Sequence, residues 1–152
     1  MQALPHRYRV SAHGADAGPV VLSTAGVATL QTQAPPEFDG PPGYWSPESL
    51  LVAAVADCYV LSFRAVARAS RLAWQHLDVE VEGVLDRADG VTRFTRFRLA
   101  PRLRLAPGAS EALALRVLEK AKAGCLVTNS LNAECELAPV VEGAPAPEPA
   151  AT

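Results

Sequence analysis

The stretch "ESLLVAAVADCYVLSFRAVARASRL" (Glu48 to Leu72) runs for more than twenty residues without a proline or a glycine. Nothing in it breaks a helix, and the residues before it start one. Ser46 suits the N-cap, Pro47 the first helical position with its fixed φ and missing N–H, and Glu48 the positive end of the helix dipole. The first half of the run is apolar on nearly all sides, the mark of a central helix covered all round. The second half gains Arg64, Arg68 and Arg71 and must emerge toward solvent. A chain of 152 residues built on such a helix has enough length to bury a core as one domain. We expect that domain over residues 1–142 and a disordered Pro/Ala-rich tail, "GAPAPEPAAT", over residues 143–152, which has nothing to bury.

Composition excludes several classes. The formal charge is −2, so no basic field points to nucleic acid or to an acidic membrane surface. The opening "MQALPHRYRV" has no apolar stretch of the signal type. The most apolar run, Leu50 to Phe63, is short for a membrane span and carries Asp57, so no membrane association is expected. Three dispersed cysteines do not make a secreted disulfide scaffold, and a reducing cytoplasm is the default compartment. His6, His13 and His76 show no zinc-ligand spacing alongside them, so no metal or organic cofactor is implied.

Around the helix, residues 7–32 alternate in short pieces broken by Gly14, Gly18, Pro19 and Gly26, which predicts two or three strands. "APPEFDGPPGYWSP", with five prolines and two glycines, must be a loop. "HLDVEVEGVLDRADGVTRFTRFRLAPRLRL" alternates and is split by Asp89-Gly90, a strong hairpin signal. Ser110 then caps a second helix that carries Glu111 early and Lys120 and Lys122 late, with Gly124 as its C′ stop. "ECELAPVVE" reads as a last strand. The order of strands, helix, strands, helix and strand predicts an α+β fold with antiparallel sheets packed around two main helices.

The chemistry lies in the cysteines. Cys58 sits in the long helix, where a free cysteine often serves as a small hydrophobe. Cys125 follows Gly124 directly, beside Thr128, Asn129 and Ser130, at the point where the second helix ends. If the two helices pack together, Cys58 and Cys125 could approach within disulfide range, which requires Cα atoms roughly 4.4–6.8 Å apart, though helix packing alone does not bring them there. Cys135 lies in a predicted strand and reads as a spectator.

"SPESLLVAAVADCYVLSF" followed by "CLVTNSLN" resembles the two-cysteine signature of the OsmC/Ohr family of osmotically inducible and organic hydroperoxide resistance proteins. The resemblance spans about residues 7–141. It implies a thiol peroxidase acting on organic hydroperoxides. Cys58 would be the nucleophile oxidised to sulfenic acid, Cys125 the resolving thiol that condenses with it, and an external dithiol the reductant. Glu48 matches the family's active-site glutamate, with Ser46 in place of the usual Asn; the plainer reading is a first-turn carboxylate serving the helix dipole. One unbroken helix separates Glu48 from Cys58 by about 15 Å along its axis. A shared site therefore requires Glu48 from a second subunit, in line with the intertwined homodimer that the resemblance implies.

One departure stands out. The family's peroxidases carry an arginine in an early glycine-rich turn, and "HGADAG" has Ala15 at that place. Arg7, Arg9 and His13 are the cations nearest in sequence, and each reads as a solvated side chain. The second motif also lacks its proline. The alternative is a family member that binds small molecules or carries out other thiol chemistry. Tyr44 and Trp45 serve equally as pocket lining or as interface plugs. Arg93, Arg96, Arg98, Arg102 and Arg104 face a strand bearing Asp78, Glu80 and Glu82, and we expect cross-strand charge pairing there.

Overall fold

The computed structural model describes residues 1–143. The predicted tail falls outside the described residues except for Gly143. The chain divides into two compact units, Met1–Leu51 and Val52–Thr152.

The first unit is a three-stranded antiparallel sheet in the order β1 (Ser11–His13), β2 (Val20–Ser23), β3 (Leu30–Thr32). The proline-rich loop follows. It contains a single 3-10 turn at Pro36–Phe38 and returns to β3, where Thr32 bridges to Trp45 and the Gln33 amide donates to the Trp45 carbonyl at 3.0 Å. Helix α1 (Pro47–Ala69) starts as the sequence predicts. The Ser49 amide donates to Ser46 Oγ at 3.1 Å and the Ser46 amide to Ser49 Oγ at 2.9 Å, so two orphan amides of the helix start are satisfied reciprocally.

The division between the units falls within α1, and the rest of that helix belongs to the second unit with a mixed sheet. Strands β4 (Trp74–Ala88) and β5 (Val91–Leu105) form the predicted long hairpin. Its turn residues Asp89 and Gly90 have φ of 53° and 77°, the paired left-handed conformations of a type I′ turn. Helix α2 (Glu111–Ala123) is capped by Ser110 Oγ, which accepts from the Leu113 amide at 3.2 Å. A short helix α3 (Leu126–Asn129) follows, then β6 (Glu134–Leu137) and β7 (Val140–Glu142).

Two expectations change here. The last strand is two strands, and both run parallel to β5. The break comes from Pro101. The Leu99 carbonyl faces the β6–β7 side, where it accepts from the Ala138 amide at 2.8 Å. Two residues along the strand, the missing N–H of Pro101 faces the same side, and no ladder can continue there. Gly124, expected to end α2 in the left-handed conformation, instead has φ −91° as the C-cap, with its amide on the Lys120 carbonyl.

From Arg96 to Leu105 the side chains of β5 alternate. Phe97, Leu99, Leu103 and Leu105 are buried, while Arg96, Arg98, Arg102 and Arg104 are exposed. The buried set forms a core with Val55, Tyr59, Phe63 and Ala67 of α1 and Ala114, Val117, Leu118 and Ala121 of α2. The arginine row has acidic partners opposite it in register, Asp78 to Arg102 and Glu82 to Arg98. Among the described residues, however, its ion pairs cross to the other neighbours, Arg96 to Glu136 of β6 at 3.7 Å and Arg102 to Glu142 of β7 at 3.3 Å.

Helix α1 also differs from the predicted helix buried all round. By length and hydropathy it is apolar enough to cross a membrane, because the run continues past Phe63 to Ala69. Its buried residues recur every four positions as one stripe, and most of its other apolar side chains are half-exposed. The sheet and α2 cover only one side of it.

Candidate functional site

Cys58 lies on α1 next to Tyr59, half-buried and free. Tyr59 is fully buried, and its hydroxyl donates to the Leu118 carbonyl of α2 at 3.0 Å. This bond ties the Cys58 turn of α1 to the C-terminal half of α2. Burial above all, then the Glu119 carboxylate and the Cys125 sulfur, push the Tyr59 pKa above its ordinary value of 10.0.

Cys125 is the N-cap of α3 and is fully buried. The Thr-Asn-Ser cluster that follows it holds the junction in place. Thr128 Oγ1 donates to the Cys125 carbonyl at 3.2 Å, Asn129 Nδ2 to the Ala123 carbonyl at 3.1 Å, and Ser130 Oγ to the Leu126 carbonyl at 2.8 Å. Each polar side chain closes the backbone around the thiol, so the turn is fixed without a proline.

Glu48 occupies the first turn of α1 in the N-terminal unit. One carboxylate oxygen, Oε2, is buried and has no hydrogen-bond partner. The Glu48 side chain lines a largely apolar cavity of about 570 Å³ within that unit, together with Val20, Leu22, Pro35, Phe38 and Leu50. A buried carboxylate oxygen without a donor costs free energy. Ala15 is exposed in the turn after β1, and Arg7, Arg9 and His13 are exposed in the same unit, as expected of solvated side chains. Tyr44 and Trp45 are about half-exposed, at 46% and 49%.

Sequence reasoning passed over Cys135. This half-buried thiol faces a surface cavity of about 350 Å³ lined also by Glu119, Lys122, Ala123, Thr128 and Asn129. Burial raises its pKa, the Lys122 ammonium lowers it, and the Cys125 sulfur raises it again. The only advance signal was the alternation of β6, which left Cys135 on the face opposite the Glu134 and Glu136 side chains.

Comparison with known proteins places this arrangement. A family model described as "OsmC-like protein" matches residues 40–139. An uncharacterized Bacillus subtilis protein, YmaD, is 30% identical over 106 residues, covering 68% of this chain and 71% of its own. An OsmC-like protein of unknown function from Vibrio cholerae superposes with a TM-score of 0.83 at 16% identity, over 90% of this chain and 100% of that one. An organic hydroperoxide resistance protein from Elizabethkingia anophelis, bound to thiocyanate, gives 0.78 at 20% identity, over 93% and 100%. One from Legionella pneumophila gives 0.73 at 25% identity, over 92% and 100%.

Proposed function

The chain belongs to the OsmC-like family, and on that premise we propose that it is a cysteine-based thiol peroxidase of organic hydroperoxides. The Cys58 thiolate attacks the distal peroxide oxygen, the O–O bond breaks, an alcohol leaves and Cys58 becomes a sulfenic acid. The Cys125 thiol attacks that sulfur and expels water, leaving a Cys58–Cys125 disulfide. An external dithiol then restores both thiols by exchange. Glu48 from a second copy of the chain serves as electrostatic and hydrogen-bonding partner at the reacting sulfur.

The observation that carries this reading is the placement of Cys125. It is buried at the α2–α3 junction, at the end of the helix that Tyr59, the neighbour of Cys58, joins through its bond to Leu118. A resolving thiol needs this combination of closeness and protection, because it must trap the sulfenic acid before further peroxide does. The names of the organic hydroperoxide resistance proteins with the same fold support organic hydroperoxides as the substrate class. The half-exposed apolar faces of α1 supply the case for a homodimer. The proposed compartment is the cytoplasm, where a dithiol reductant keeps the cycle turning.

A second reading rests on Glu48 and Ala15. An apolar cavity with an unpartnered buried carboxylate oxygen, in a chain that lacks the family arginine, suits a protein that binds a small molecule without turning over peroxide.

Rapid mixing of reduced protein with cumene hydroperoxide separates the two. The peroxidase loses a pair of thiols per chain at near-stoichiometric peroxide. Cys58→Ser abolishes the loss, and Cys125→Ser stops at a sulfenic acid that dimedone labels. No thiol loss in the wild-type protein would sink the peroxidase reading and leave the binding reading.

A further inference from the structure

A disulfide that contains Cys125 raises a problem of access. Thiol–disulfide exchange is in-line attack on sulfur, so the attacked atom must be reachable. Cys125 is fully buried, and Thr128, Asn129 and Ser130 brace the backbone of its turn. An external dithiol therefore has no direct route to that sulfur.

The residues on either side of Cys125 form the wall of the cavity that holds Cys135. Lys122 and Ala123 precede it, Thr128 and Asn129 follow it, and all four line the cavity with Cys135. Cys125 is thus buried behind residues that share the cavity wall with Cys135. Strand β6 fixes Cys135 there through its parallel pairing with β5, opposite Phe97. Lys122 supplies a cation on the same wall.

We propose that Cys125 and Cys135 form a second dithiol–disulfide couple, which carries the Cys58–Cys125 bond outward to the reductant. The Cys135 thiolate attacks Cys125 Sγ, the Cys58–Cys125 bond breaks, and Cys58 departs as the thiolate, ready for the next peroxide. No electrons are gained or lost in this step. The oxidising equivalent, supplied by the hydroperoxide, is now a Cys125–Cys135 disulfide with one sulfur in the cavity. An external dithiol attacks Cys135 there, forms a mixed disulfide, and leaves as its own disulfide, returning Cys125 and Cys135 as thiols. Burial raises the Cys135 pKa, and the Lys122 ammonium on the same wall works against it to favour the attacking thiolate.

The relay rests on the peroxidase reading for its source of oxidant, so its test uses two oxidants. Full-length reduced protein is treated with cumene hydroperoxide or with diamide, quenched with N-ethylmaleimide, and its disulfides are mapped by non-reducing digestion and mass spectrometry. The expected result is a Cys58–Cys125 bond early and a Cys125–Cys135 bond later in wild type. Cys135→Ser stops at Cys58–Cys125, and dithiothreitol reduces that bond at least about tenfold more slowly, because Cys125 Sγ is buried and Cys58 is half-buried. Absence of a Cys125–Cys135 bond in wild type under diamide overturns the inference, as does equal reduction of wild type and Cys135→Ser. If diamide forms the bond and cumene hydroperoxide consumes no thiol, the peroxidase reading falls and the couple stands.

Discussion

Tyr59 joins stability to the candidate site in one side chain. Its ring fills the core and its hydroxyl donates to Leu118 across the α1–α2 contact. Burial raises its pKa above the ordinary 10.0, so the folded chain keeps the phenolic proton to higher pH than the unfolded chain does. The stability this contributes is complete below the ordinary tyrosine pKa and is lost as pH rises through the raised folded value. Tyr59→Phe should cost about 1 kcal/mol at neutral pH for the lost hydrogen bond. It should also flatten the alkaline loss of stability above about pH 10. Urea midpoints measured across that range check both, and parallel pH slopes for the two proteins would refute the titration argument. Tyr59 gave no functional signal in the sequence, because its importance comes from Leu118 and Cys125, both remote along the chain. Glu48 and both cysteines of the proposed cycle were visible from their motifs. The orphaned Glu48 oxygen and the cavity around Cys135 were not, since both depend on which neighbours the fold assembles.

Elements whose signals are local were legible. The Ser46-Pro47 start of α1, the Ser110 cap of α2 and the Asp89-Gly90 turn each form as their residue types require. The parallel pairing of β6 and β7 was not legible, because a strand's partner depends on the path of the chain and a short apolar run reads the same in either direction. Gly83 belongs to the same class. It lies in β4 and reads as a weak strand residue, yet a Cβ there would come within 2.7 Å of Val52 Cγ2, 2.9 Å of Phe94 Cε1 and 3.1 Å of Phe97 Cε1. The helix therefore sits on the sheet at a distance only glycine allows. Gly83→Ala should push α1 off the hairpin and cost roughly 1–3 kcal/mol. A stability unchanged in urea unfolding would mean that the contact relaxes freely and that glycine is not required.

At the scale of the molecule, the question is what covers α1. The helix is as apolar as the sequence indicates, but only 22% of its most apolar window is buried within the chain. Val55, Tyr59, Phe63 and Ala67 face the core, and Leu61, on the other side of the helix, is 53% exposed. Leaving that side in water forfeits roughly 25 cal/mol for each Å² of apolar surface that burial would gain. A second copy pairing through α1 recovers this, and it is also the arrangement in which Glu48 of one chain can serve Cys58 of the other. Light scattering at micromolar concentration should accordingly give twice the 16.0 kDa chain mass. Leu61→Glu, which places a carboxylate in the proposed interface, should shift the protein toward single chains and, with the site split, lower peroxide-dependent thiol loss in parallel. A wild-type protein that is monomeric, or a Leu61→Glu protein that remains dimeric and fully reactive, would remove α1 as the interface and with it the case for Glu48 acting across chains.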